Sequence, residues 1–173
     1  MTDDRKAHDA KKTHRILKED LKQILLTHVW WLDTEGAKGS QADLHAADLR
    51  ELDLFRVDLR EAILEDADLE GADLRGARLQ AANLIGANLA SANLYRAHLE
   101  RANLFRASLR YAYLAEAVLD GAELELADLH EADLGKCSLA GVDLTDTFGL
   151  TPEQLAGARA DSGTTAPPGL TNR

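Results

Sequence analysis

Between Ala42 and Asp146 the chain runs in five-residue units. Leucine stands at 44, 49, 54 and every fifth position to 144, giving 21 units without an exception. With each leucine as position i, alanine fills i−2 in 17 units, and Leu52, Val57, Cys137 and Val142 fill the others. Asp or Asn occupies i−1 in 13 units, while i+1 and i+2 are varied and mostly polar. Glycine takes i+2 five times, at 71, 76, 86, 121 and 141. A helix of 3.6 residues per turn would spread such leucines over all its sides. A strand alternates with period two, so an odd spacing would throw the leucine from face to face. A chain that turns once per unit keeps every leucine inside. Positions i−2 and i then point inward as on a short strand, and i−1, i+1 and i+2 face out. The turn falls at i+1 to i+2, where glycine is tolerated. A bend of about a right angle per unit closes a square coil every four units. The period therefore predicts an all-β solenoid of about five coils, roughly 25 Å long at the strand–strand spacing of about 4.8 Å. Leucine fills its middle, and alanine sits where the walls approach too closely for anything larger.

A solenoid exposes apolar core and unpaired backbone at its ends and needs caps. Thr13–Leu32 reads as a helix, with Ile16, Leu17, Leu21, Ile24, Leu25, His28 and Leu32 at helical spacing. This helix is expected to cap the first coil, with Trp30 or Trp31 as the alternative start of a partner-binding surface. Gly36 and Gly39 mark the linker into the first unit. After the last unit, Thr151 suits an N-cap, Pro152 the first helical turn and Gln154 a capping box. A short helix near 152–157 should lay Leu155 over the last coil, with Phe148 and Leu150 joining it.

Units such as Ala67-Asp68-Leu69-Glu70-Gly71, Ala72-Asp73-Leu74-Arg75-Gly76 and Ala87-Asn88-Leu89-Ala90-Ser91 resemble the pentapeptide repeat family, A-(D/N)-L-x-x. The resemblance covers residues 42–146 and implies a right-handed quadrilateral parallel β-helix. His28, Trp31, Leu32, Gly36, Gly39, Ala42 and Leu44 are similar to the segment that precedes many bacterial arrays of this kind. The stretch from Gly149 to Leu155 is similar to the family's C-terminal cap, and the stretch from Asp161 to Leu170 to the tail beyond that cap. The expected organisation is a charged flexible N-terminus (1–12), a helix and linker cap (13–41), the repeat β-helix (42–146), a C-terminal cap (147–159) and an extended or mobile tail (160–173).

Composition narrows the function classes. The chain has 173 residues with 20 Lys+Arg against 30 Asp+Glu, a net charge of −10, which disfavours whole-surface nucleic-acid binding. Its one cysteine, Cys137, excludes an internal disulfide and a Cys-rich zinc site. No apolar run approaches the roughly 20 residues that span a bilayer, so no membrane insertion is expected. The charged start, Met1 to Lys12, lacks a signal peptide's apolar stretch, and a cytoplasmic protein is the default. A filled interior offers no pocket for convergent polar groups, so no enzyme activity, catalytic residue, cofactor or metal site is expected. The six histidines show no metal spacing, and Cys137 at an inward i−2 position reads as a small core residue. The i−1 Asp/Asn ladder is read as hydrogen-bonding local backbone at the turns rather than as paired acids.

The outer surface carries what chemistry remains. Residues 42–74 hold 11 acids and 3 arginines, 75–110 hold 6 arginines and Glu100 as the one acid, and 111–146 hold 9 acids and Lys136. The prism should be banded acidic, basic, acidic. Arg96, Arg101, Arg106 and Arg110 fall on four successive faces and form a girdle. Phe55, Arg75 and Tyr95 share one face a coil apart, with Arg75 expected between the two rings. Ile85 and Phe105 share another, near Ile63 and Leu126. The candidate partner-binding surface is Phe105, Ile85, Phe55, Arg75, Tyr95, Arg96, Arg106 and Tyr111. The expected function is a non-enzymatic protein–protein interaction scaffold for an unidentified protein partner. The resemblance also implies an alternative, a DNA mimic that binds DNA gyrase or another topoisomerase. The acidic total fits that reading, while the arginine waist and short array count against it. Direct nucleic-acid contact is disfavoured, since the flanking acidic bands repel phosphate. The oligomeric state stays open between monomer and dimer.

Overall fold

The computed structural model describes residues 14–170. Four named elements stand at its ends: β1 (His14–Arg15), α1 (Lys18–Asp33), β2 (Ala47–Asp48) and α2 (Pro152–Gly157). Between them the chain forms one-residue parallel rungs, the i−1 residues from Asp43 to Asp128 pairing with the residue twenty positions on, as in Asp43↔Ile63 and Asp128↔Phe148, with Glu123 the exception. Four units therefore make one coil, as the right-angle argument requires. At each corner the carbonyl of i accepts the N–H three residues on, as in Ala47 to Leu44 at 3.1 Å. The third residue of the turn has positive φ in every unit from Ala46 to Gly141. This is the type II pattern, which favours glycine. Arg96, Arg101, Arg106 and Lys136 hold it nonetheless, at φ 56–58°. All thirteen Asp and Asn residues at i−1 accept a hydrogen bond from the N–H two residues on, at 2.9–3.4 Å. They serve the turns, as their position implied.

Every repeat leucine is at most 5% exposed, and together with the i−2 side chains they form one continuous core. The four departures from alanine at i−2 lie towards the two ends of the array. Leu52 and Val57 are in the first coil, which no repeat coil precedes, and Cys137 and Val142 are near the last, where the irregular segment after α2 supplies the next rungs at Arg159 and Thr165. A larger side chain fits where no regular repeat coil presses on it.

Two end segments differ from expectation. α1 begins at Lys18 rather than Thr13, because His14 and Arg15 pair in parallel with Ala47 and Asp48 of β2. The open edge of the first coil offers unpaired backbone groups, and the His14 N–H takes the Ala46 carbonyl at 3.0 Å. At the other end α2 carries a complete capping box between Thr151 and Gln154, and Leu155 is buried over the last coil. Gln154 Nε2 also donates to the carbonyls of Leu129 (2.8 Å) and Ala132 (2.9 Å), tying the cap to the solenoid. Leu150 joins this cap, but Phe148 is 53% exposed. Phe148 continues the five-residue register at an outward i−1 position, and its backbone completes the rung with Asp128. Beyond α2, Arg159 and Thr165 add rungs to Ser138 and Asp143, and Ala166 and Leu170 pack against the core. The tail is thus extended and docked as far as Leu170. The flexible segment expected over 1–12 lies outside the described residues. Among the described residues, no helix is long and apolar enough to cross a membrane.

Candidate interaction surface

The twenty-residue coil divides the eight candidate residues between opposite walls, since positions ten apart lie half a coil apart. On one wall Ile85 and Phe105 are neighbours across a rung, the Gly86 N–H bonding the Phe105 carbonyl at 2.8 Å. Both side chains are half-buried. Asn103 fixes the turn by accepting the Phe105 N–H at 3.0 Å, and the Arg106 guanidinium lies 4.9 Å from the Phe105 ring centre. The two residues line a groove of about 530 Å³ together with Ala122 and Leu124 and the acidic residues Glu123, Glu125, Asp143 and Asp146. Thr145 and Thr165 hydroxyls bond the Asp143 carboxylate and hold its pKa below the ordinary value.

The opposite wall carries Phe55, Arg75, Tyr95 and Arg96. Phe55 is 51% exposed and has two guanidinium groups over its ring, Arg56 at 5.1 Å and Arg75 at 5.5 Å. The expected sandwich does not close. Arg75 is held by a two-point hydrogen bond to Asp73 (2.7 and 2.5 Å), and Tyr95 stacks instead on Tyr113 at 5.8 Å. Tyr95 also carries Arg96 at 4.9 Å, which pairs with Glu116 at 2.8 Å. Tyr111, 57% exposed, sits at the adjoining corner beneath Arg110, which reaches Asp128 at 3.0 Å. Tyr113 is the residue that reasoning by face alone left out of this group. Its signal is the diagonal between i+1 of one coil and i−1 of the next, the same eighteen-residue step that joins Arg110 to Asp128 and Asp120 to Ser138.

The basic waist is therefore largely neutralised. Arg75, Arg78, Arg96 and Arg110 each face a carboxylate, while Arg101 and Arg106 have no such partner among the described residues. The guanidinium groups hold the Asp73 and Glu116 carboxyls below their ordinary pKa values. Burial pushes the Asp128 carboxyl up, and hydrogen bonds from His130 and Arg110 outweigh it and bring the value down. Inside, desolvation, with a smaller contribution from Asp120, pushes the Cys137 thiol up to about 12, so it stays protonated and unreactive at neutral pH. No group of three or more His, Cys, Asp or Glu side chains is arranged to hold a metal ion among the described residues.

The five-residue period and the square coil have a counterpart among known families. Pentapeptide repeats match in eight copies over residues 40–76, 53–89, 72–110 and 107–146, well over half of the chain. The chain belongs to the pentapeptide repeat family. Its fold is the right-handed quadrilateral parallel β-helix of that family. Among solved structures, it is similar to alr5209, a pentapeptide repeat protein from Nostoc PCC 7120. The identity is 35% and the TM-score 0.53, covering 61% of this chain and 86% of that one. It is also similar to HetL of Nostoc sp. strain PCC 7120, a pentapeptide repeat protein involved in heterocyst differentiation regulation. That likeness has 35% identity and a TM-score of 0.49 over 72% of this chain, and the chain covers 62% of HetL. A third likeness, to the plasmid-mediated fluoroquinolone resistance protein QnrB1 (trypsin-treated), has 23% identity. Its TM-score is 0.50, covering 74% of this chain and 68% of that one, which shows the fold alone. No curated protein matches.

Proposed function

We infer that this pentapeptide repeat protein is a non-enzymatic interaction scaffold in a bacterial-type cytoplasm, presenting rigid walls to a protein partner. The observation that carries the reading is the Phe105–Ile85 pair, an apolar strip half open to solvent in a groove also lined by four acidic residues. An apolar strip among charged side chains is the anatomy of a protein-binding patch, and its charge favours a partner segment that combines apolar and basic side chains. The wall bearing Phe55, Arg75, Tyr95, Arg96 and Tyr111 offers a second aromatic surface, since aromatic and arginine side chains dominate binding hot spots. The test is affinity capture from native lysate, read by mass spectrometry, with wild type beside Phe105→Ala and Ile85→Asp. Both substitutions sit on the outside and should leave the thermal unfolding transition in place. Loss of a captured protein with both variants is the expected result. Retention of every captured protein would overturn the assignment of this wall.

The alternative, a DNA mimic acting on DNA gyrase or another topoisomerase, draws on the excess of acids at both ends of the array. Continuous negative charge is what a duplex displays, and the arginine waist interrupts it. A supercoiling assay unaffected at micromolar protein would dispose of that alternative.

A further inference from the structure

A further exposed apolar surface lies on α1, at the N-terminal end of the solenoid. α1 buries Leu21 and His28 and packs Ile24 and Leu25 against the first coil. A capping helix should be polar on its other side. Here Leu26 is 58%, Val29 39% and Trp30 53% exposed, an i, i+3, i+4 stripe outside the face that Leu21, Ile24 and His28 bury. The Phe55 and Tyr111 rings on the walls carry guanidinium groups, and Trp30 has the Lys38 ammonium at 5.8 Å. Leu26 and Val29 instead border an apolar trough of about 410 Å³, shared with Leu21, Leu25, Leu52 and Leu54. Trp31, the other tryptophan of the pair, is stacked on His28 at 5.8 Å and half-buried. The two adjacent tryptophans thus divide between cap and surface.

We propose that this outer face of α1 is an interface between two copies of the chain, joined cap to cap with their helices antiparallel. The choice of a second copy rests on charge complementarity. Lys22 and Asp33 are both exposed and bracket the apolar stripe on the same side of the helix. Neither makes an ion pair within the chain among the described residues, although Asp33 adds to the field at Arg60. A two-fold axis across the helix that sets Leu26 against the partner's Val29 also sets Lys22 against the partner's Asp33. Both pairs are then made twice, as an isologous contact requires. The apolar stripe supplies the association, and the charges fix direction and register. This surface is separate from the walls described above, so pairing leaves them free.

Light scattering or sedimentation of the full chain from about 1 μM to about 100 μM tests the proposal. The expected result is a reversible species of twice the 18.9 kDa chain mass. Leu26→Glu and Trp30→Glu should abolish it while the far-ultraviolet spectrum and melting transition stay as in wild type. Lys22→Asp should weaken pairing by about fivefold, as two exposed ion pairs per dimer are lost. Adding Asp33→Lys to it should restore the wild-type constant. This exchange keeps the register testable even if the glutamate variants fail to fold. A monomer throughout the range, a dimer that survives Leu26→Glu, or a double exchange no better than Lys22→Asp alone would overturn the proposal.

Discussion

A side chain in this molecule is judged by its place in the five-residue unit. Leu94 is fully buried midway along the solenoid, with a coil above and below it. Stacked rungs on both sides prevent collapse into the space left by Leu94→Ala. The change should lower unfolding free energy by roughly 2–5 kcal/mol in a denaturant titration, and a loss under about 0.5 kcal/mol would contradict its role. Glycines differ just as sharply. Gly39 has φ +76°, and an added Cβ would lie 2.2 Å from the Thr27 carbonyl oxygen and 2.7 Å from the Trp31 nitrogen. Gly141 has φ +69° with nothing within 4 Å. Gly39→Ala should therefore destabilise by at least about 2 kcal/mol, through clash and strain together. Gly141→Ala, strained only in φ, should cost less, about 1–2 kcal/mol in the same denaturant titration. Arginine at i+1 obeys a local rule as well. In the three units that read Asp-Leu-Arg, at 48–50, 58–60 and 73–75, the guanidinium makes a two-point contact with its own unit's Asp. Arg110 follows Ser108 instead and reaches Asp128 on the next coil.

At the scale of elements, α1 and its linker depend on His28. It is fully buried, and Nδ1 accepts the Ala42 N–H at 3.0 Å, so the neutral ring fastens the helix to the first repeat unit. Desolvation pulls its pKa below 6.5, against a weaker opposing pull from the Arg60 backbone. The unfolded chain then binds more protons than the folded one between that lowered value and 6.5. Stability should fall as pH drops below 6.5, by at most about 1.4 kcal/mol per pH unit. His28→Asn should flatten that slope, and an identical pH profile in both proteins would contradict the account. The repeat walls and the α2 capping box were legible in the sequence, because a period and a Thr-x-x-Gln pair each specify one geometry. Phe148 was legible too, had the register been carried one unit past Leu144. The β1 pairing was not, since a two-residue strand leaves no periodic trace. The Arg75 sandwich failed because Asp73, two residues away in the same unit, offers a charged acceptor that outcompetes a ring. The division of Trp30 from Trp31 needed the path of the linker, where Gly36 lies against the Trp31 ring.

For the molecule as a whole, the coils form a quasi-one-dimensional stack in which each coil contacts its neighbours and the caps close the two ends. The leucine and alanine core is continuous along its length, so the walls and caps are the surfaces the molecule presents. The surface is charged, yet much of the arginine waist is paired with carboxylates, which leaves aromatic side chains as the distinguishing outward features. The stacked-coil account is tested most directly by deleting residues 82–101. This removes one full twenty-residue turn and joins Ala81 to Ala102 with the unit register intact. The shortened chain should still fold and unfold cooperatively, with both caps seated and a smaller denaturant m-value in keeping with the surface it no longer buries. A deletion product without a cooperative transition would contradict the account.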